Sequence, residues 1–276
     1  MQVAESGPLQ VVTRAGREVL LGAFPIGIDF EEFASGAAAQ EVTHQASLLK
    51  QNLDSQCVIL GVDRLDYTKG IPQRLEAFGT ALRRYPELRG NTSLVQVAVP
   101  SREEIPRYHE LRTEIEQLVG AINGEFAAPP WVPVHYIFRS LERTELLAYY
   151  RAADVALVTP LKDGMNLVAK EYCACQIDED GVLILSEFAG AASQLGKDAL
   201  VVNPHDADMV AEAIYQACHM EPDERRQRMR NMREIIRRQD IRRWVDSFLS
   251  SVPSWMTGDT GSEPGMTAAG GQASGT

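Results

Sequence analysis

Short apolar runs alternate with longer amphipathic patterns along most of the chain, the arrangement a doubly wound parallel sheet requires. The run at 57–62 is followed over 71–85 by Leu75, Phe78, Ala81 and Leu82 on one helical face. The run at 94–99 precedes a helical pattern over 103–119, and that at 132–138 precedes one over 142–152. A further run at 155–160 ends just before the segment 163–171, inside which a helix starts. The run at 182–186 feeds a turn at Ala189, Gly190 and Ala191, and that at 199–204 precedes a helix over 208–219. Roughly six such units predict one Rossmann-like α/β domain over 51–236, followed by a terminal helix over 237–255.

The two ends read differently. Strand-like signals in the first fifty residues are fragmentary, at 9–12, 19–21 and 24–29, too little for a second full Rossmann domain. From 256 to 276 the chain is small and polar, and it is expected to be disordered because it lacks apolar surface to bury.

Composition narrows the function. The 276 residues are 45% hydrophobic, enough for a packed core, and the net charge of -11 argues against a general nucleic-acid binder. The first residues lack the pattern of a signal peptide and no apolar stretch reaches spanning length, so no membrane role and a cytoplasmic location are expected. Cys57, Cys173, Cys175 and Cys218 lack zinc-site spacing and read as structural thiols. His44, His109, His135, His205 and His219 are scattered, so no metal site and no cofactor are expected. The basic tract 225–230 reads as a solvated helix face.

Candidate chemistry gathers where strands end and helices begin. A loop between a parallel strand and a helix amino terminus presents backbone N–H groups without intrahelical partners, with a partial positive charge. Asp163 at the mouth of such a loop accepts hydrogen bonds from hydroxyls, and Glu171, about two turns on, adds a second carboxylate. Arg64 and Lys69 flank the loop after the first strand and can converge on a pyrophosphate across the strand ends. The competing assignments are a surface pair of Arg64 with Asp63 or Asp66, and a helix cap for Asp163.

Five segments, in matching order, resemble the trehalose-6-phosphate synthase family: Ala23-Phe24-Pro25-Ile26-Gly27-Ile28-Asp29, Arg64-Leu65-Asp66-Tyr67-Thr68-Lys69-Gly70, Val99-Pro100-Ser101-Arg102, the run from Asp163 to Glu171, and Ser186-Glu187-Phe188-Ala189-Gly190-Ala191. The resemblance covers about 20–252. It implies the carboxyl-terminal, nucleotide-sugar-binding Rossmann-like domain of a GT-B glycosyltransferase, with 1–50 as a remnant of the amino-terminal, acceptor-side domain and linker.

The resemblance also implies site roles. Arg64 and Lys69 bind the donor diphosphate and steady it as the glycosidic bond breaks, and with Asp163 they form the catalytic set. Asp163 takes glucose hydroxyls; Gly164, Met165 and Asn166 offer backbone donors; Leu167 and Val168 neighbour the diphosphate; Glu171 takes the ribose hydroxyls. Leu141 meets the nucleobase through its main chain, and Arg102 faces the acceptor phosphate, with pairing to Glu103 or Glu104 as its alternative. The implied reaction transfers glucose from UDP-glucose to glucose 6-phosphate with retention. The family's amino-terminal glycine loop has no counterpart here, so the chain is expected to be truncated, to bind nucleotide and to transfer poorly alone. A homo-oligomer or an amino-terminal half in trans would supply the missing wall. Two other readings stand: a glucosylglycerol-phosphate synthase using ADP-glucose and glycerol 3-phosphate, and a non-catalytic nucleotide-sugar-binding remnant.

Overall fold

The computed structural model describes residues 2–6, 9–14, 17–101 and 104–251. Arg102 and the segment 256–276 lie outside these residues. The chain divides into two compact units, one of 1–24 with 245–276 and a larger one of 25–244.

In the smaller unit, β1 (Gln2–Ser6), β2 (Leu9–Arg14) and β3 (Arg17–Gly22) form an antiparallel sheet in sequence order. The fragments at 9–12 and 19–21 lie within β2 and β3. The segment 24–29 is not a strand. Two of its backbone acceptors are used outside any sheet: Ile26 O takes the Lys170 ammonium at 2.6 Å and Ile28 O takes Ile241 N at 3.0 Å.

The larger unit opens with two helices that the apolar pattern did not reveal, α1 (Phe30–Ala37) and α2 (Gln40–Leu53). Asp29 caps α1 by accepting Glu32 N at 3.0 Å, and Glu31 and Glu32 suit its positive end. Each helix buries only a narrow stripe, Phe30 and Ala37 on α1, Val42, Ala46 and Leu53 on α2.

The alternating units then follow: β4 (Cys57–Arg64), α3 (Ile71–Arg84), β5 (Thr92–Val99), α4 (Pro106–Phe126), β6 (Val134–Phe138), α5 (Arg143–Ala152), β7 (Val155–Val158), α6 (Val168–Cys175), β8 (Val182–Ser186), the short α7 (Ala192–Leu195), β9 (Leu200–Val202), α8 (Ala207–Cys218), α9 (Pro222–Arg238) and α10 (Ile241–Ser250). The expected parallel sheet is present, in the order β6-β5-β4-β7-β8-β9. Helix α4 starts later than 103 because Pro106 occupies its first position, where a missing N–H costs nothing.

Two apolar layers cover the sheet. Val58 and Leu60 of β4 face the layer of α1, α2, α5, α6 and α9, while Cys57 and Ile59 face that of α3, α4 and α8. Both faces of the central strands are buried, hence their unbroken apolar runs. Among the described residues no helix is long and apolar enough to cross a membrane.

The cysteine expectation needs correcting for one pair. Cys57 at the start of β4 and Cys218 at the end of α8 form a disulfide, with 5.8 Å between their α-carbons. They lie 161 residues apart in sequence, and only the packing of α8 over the sheet brings them together. Cys173 and Cys175 are buried free thiols, and burial pushes the Cys173 thiol up to about 12.

Candidate functional site

Strands β5 and β6 follow β4 on one side of it, whereas β7, β8 and β9 lie on the other, so the order reverses between β4 and β7. A crevice beyond the carboxyl ends of strands at such a reversal is where open α/β sheets bind ligands. The loops after β4, β7 and β8 meet there.

They are tied to each other by backbone. Thr68 O accepts Leu161 N at 2.8 Å and Lys162 N at 3.2 Å. Asp163 N donates to Phe188 O at 3.3 Å, and Gly190 N donates to Asp163 O at 2.8 Å. A side chain at Gly190 would place its Cβ 2.0 Å from Gly164 O, so this approach admits only glycine. Ser186 Oγ links the same loops by donating to Pro160 O at 2.7 Å and accepting Phe188 N at 3.1 Å.

Within this frame Lys69 Nζ lies 2.6 Å from Asp163 Oδ2, both side chains mostly shielded. The residues are 94 positions apart in sequence. Asp163 also accepts Met165 N at 3.3 Å, Asn166 N at 3.2 Å and Asn166 Nδ2 at 3.1 Å. Desolvation raises the Asp163 carboxyl, but the Lys69 ammonium and these N–H groups outweigh it and hold the carboxyl below its ordinary 3.8. Just ahead of the helix that follows, Asn166 Oδ1 accepts Ala169 N at 3.0 Å while the Asn166 backbone takes a φ of 60°. Gly164 and Met165 are exposed, Leu167 and Val168 half-buried.

Arg64, at the last position of β4, is exposed and makes no ion pair among the described residues. The two acids weighed as its surface partners are engaged otherwise. Asp63 pairs with Arg74 at 2.6 Å, and Asp66 accepts Thr68 N at 2.9 Å and Thr68 Oγ1 at 2.7 Å. Glu171 on α6 accepts the Tyr150 hydroxyl at 2.8 Å, and burial raises its carboxyl. Leu141 is half-buried between β6 and α5, against the layer that includes Leu147 and Val97.

Sequence reasoning missed the residues beneath these loops. Arg74 and Asp63 are buried at 1% and 6% exposure, and Lys170, beside Glu171, is buried at 4%. Burial lowers the Lys170 ammonium to about 8 and pushes the Asp63 carboxyl above its ordinary value, with Arg74 opposing. Arg74 had a legible signal: it occupies the same helical stripe as Ile71, Leu75 and Phe78, a cation where the pattern calls for an apolar side chain.

The family model "Glycosyltransferase family 20" matches residues 2–254. The chain is 46% identical to a trehalose-6-phosphate synthase of Mycolicibacterium smegmatis over 91% of its length and 49% of the relative's. It is 41% identical to an alpha,alpha-trehalose-phosphate synthase [UDP-forming] A of Dictyostelium discoideum, over 86% of this chain and 32% of that one. Among solved structures, an alpha,alpha-trehalose-phosphate synthase (UDP-forming) of Burkholderia xenovorans in complex with glucose-6-phosphate matches with a TM-score of 0.85 at 41% identity, covering 89% of this chain and 54% of that one. An E. coli structure bound with UDP-2-fluoro glucose matches with a TM-score of 0.84 at 39% identity, over 90% and 55% of the two chains. The chain thus spans about half the length of these solved structures and a third to a half of the sequence relatives.

Proposed function

The chain belongs to glycosyltransferase family 20, and on that premise we propose that it carries the donor side of a retaining glucosyltransferase that moves glucose from UDP-glucose to glucose 6-phosphate. The observation that carries this reading is the meeting of Lys69 and Asp163 at 2.6 Å on the reversal point of the sheet. The cation expected to take a diphosphate touches the carboxylate expected to take a sugar, at the crevice where such ligands sit.

In this reading Arg64 and Lys69 take the diphosphate, and Lys69 exchanges its Asp163 partner for phosphate oxygens. That exchange leaves Asp163 ready to accept from glucose hydroxyls, with Gly164, Met165 and Asn166 offering backbone N–H groups and Leu167 and Val168 lining the diphosphate. Glu171 takes the ribose hydroxyls, Leu141 the base through its main chain, and Arg102 the acceptor phosphate. The bond from the anomeric carbon to the diphosphate breaks as the bond to the acceptor oxygen forms on the same face, and the acceptor proton passes to a phosphate oxygen of the departing UDP. Charge grows on the diphosphate in that step, so two fixed cations stabilise the transition state more than the ground state.

The acceptor wall would come from an amino-terminal half, in the same polypeptide or in trans, with 1–24 as part of its end. Nucleotide-sugar and hexose-phosphate substrates put this work in the cytoplasm. Calorimetric titration of the 276-residue chain with UDP, UDP-glucose and ADP-glucose tests the donor assignment. Saturable binding of UDP and UDP-glucose, weakened in Lys69→Ala, is expected. Absence of binding at millimolar nucleotide would overturn the reading, and preference for ADP-glucose would change the donor.

A further inference from the structure

Beneath the loops that meet at the crevice lies a buried polar group that no step above uses. Arg74 of α3 donates from Nη1 to Asp63 Oδ2 at 2.6 Å and to Gln96 Oε1 at 3.0 Å, and from Nε to Thr159 Oγ1 at 3.0 Å. Asp63 immediately precedes Arg64 at the end of β4, and Thr159 is the first residue after β7. One guanidinium thus grips the two strand ends from which the Lys69 and Asp163 loops depart. The sheet makes room for it: a Cβ on Gly61 would lie 2.6 Å from Arg74 Nη1 and from Gln96 Oε1.

Stability alone is a poor reason for this arrangement. The Arg74 side chain is wholly shielded, and its Nη2 is buried without a hydrogen-bond partner. Desolvating an ion pair costs as much as the pair returns, and apolar replacements of similar volume are often neutral or better. An orphaned N–H adds a further penalty. A costly, rigid fork placed directly under the crevice is the form a support for precise geometry takes.

We propose that Arg74 is a positioning residue for the donor site, clamping the end of β4 to the start of the loop after β7 and so setting the spacing at which Lys69 and Asp163 meet. The proposal rests on the donor assignment above for its effect on ligand, but the clamp itself is readable without ligand. The neutral double variant Asp63→Asn/Arg74→Met and the milder Thr159→Val, which removes one acceptor and strands no charge, are compared with the unaltered chain. Three quantities are measured: melting temperature, calorimetric Kd for UDP and for UDP-glucose, and the pH titration of the Asp163 carboxyl by carbon-13 resonance.

The expected result is UDP-glucose affinity falling about tenfold further than UDP affinity in the double variant, the scale of a sub-ångström misplacement, with a smaller loss of the same kind in Thr159→Val. The depressed Asp163 titration should move back toward 3.8 in both variants. Unchanged affinity ratio and unchanged titration, whatever the melting temperature, would reduce Arg74 to a structural residue and overturn the proposal. If the double variant does not fold, Thr159→Val alone decides. If the unaltered chain binds no UDP, the donor assignment fails, while the carboxyl titration still tests the clamp.

Discussion

At the amino end of the sheet, Asp154 commits both carboxylate oxygens to structure: Oδ2 accepts Val58 N and Oδ1 the Lys50 ammonium, each at 2.8 Å. Ser93 Oγ there lies 2.7 Å from Ser55 Oγ and donates to Val132 O at 3.0 Å, and the disulfide of Cys57 and Cys218 closes the same end. At the carboxyl end, Arg64 stands exposed without an ion pair among the described residues, and Lys69 and Asp163 hold one another where incoming phosphate could separate them. The same sheet therefore ties Asp154, Ser55 and Ser93 into the fold at one end and holds Arg64, Lys69 and Asp163 beside the crevice at the other. The polypeptide direction decides which end is which, because helix amino termini follow the carboxyl ends of parallel strands.

Substitutions at the two ends should separate along that line. Arg64→Ala with Lys69→Ala is expected to weaken UDP binding by about 3–5 kcal/mol, more than a hundredfold in Kd, with a smaller loss of stability because Asp163 is left without its ion-pair partner. Equal losses of stability and affinity would erase the contrast. Cys57→Ser with Cys218→Ser should do the reverse, removing about 2–4 kcal/mol of stability in denaturant titration while UDP affinity stays within twofold.

Two pH responses sharpen the comparison. Asp163 has a folded-state value below 3.8, so its contribution to stability is present above that value and is lost as pH falls through the depressed one. Asp163→Asn should flatten the acid limb of the melting curve accordingly. Lys170 runs the other way: with its ammonium lowered from 10.5 to about 8, the unfolded chain holds more protons between those values, and stability rises with pH across that window. Lys170→Met should remove that rise. The smallest effect belongs to Lys50→Ala, a half-exposed ion pair at the amino end, expected to cost less than about 1 kcal/mol and to leave UDP affinity untouched.

Much of the larger unit was legible because buried parallel strands leave continuous apolar runs, as at Val155–Val158 and Val182–Ser186. The helices α1 and α2 were not, since each shows the core only a few side chains among many polar ones. At the site, the segments around Arg64 and Asp163 stood out through their resemblance to a family. The partners of those segments did not, because Tyr150 against Glu171, Thr159 against Arg74 and Ile26 against Lys170 are contacts between distant positions.

The order of apolar runs and turn residues by itself determined a Rossmann-like sheet and the strand ends from which the loops carrying Lys69 and Asp163 depart, since period and burial are local properties of the chain. Tertiary structure alone decided that Lys69 meets Asp163, that Asp63 turns inward to Arg74 rather than outward to Arg64, and that Cys57 finds Cys218. Charge pairing acts over a few ångströms of space, and the distance between two residues along a chain says nothing about that separation until the chain has folded.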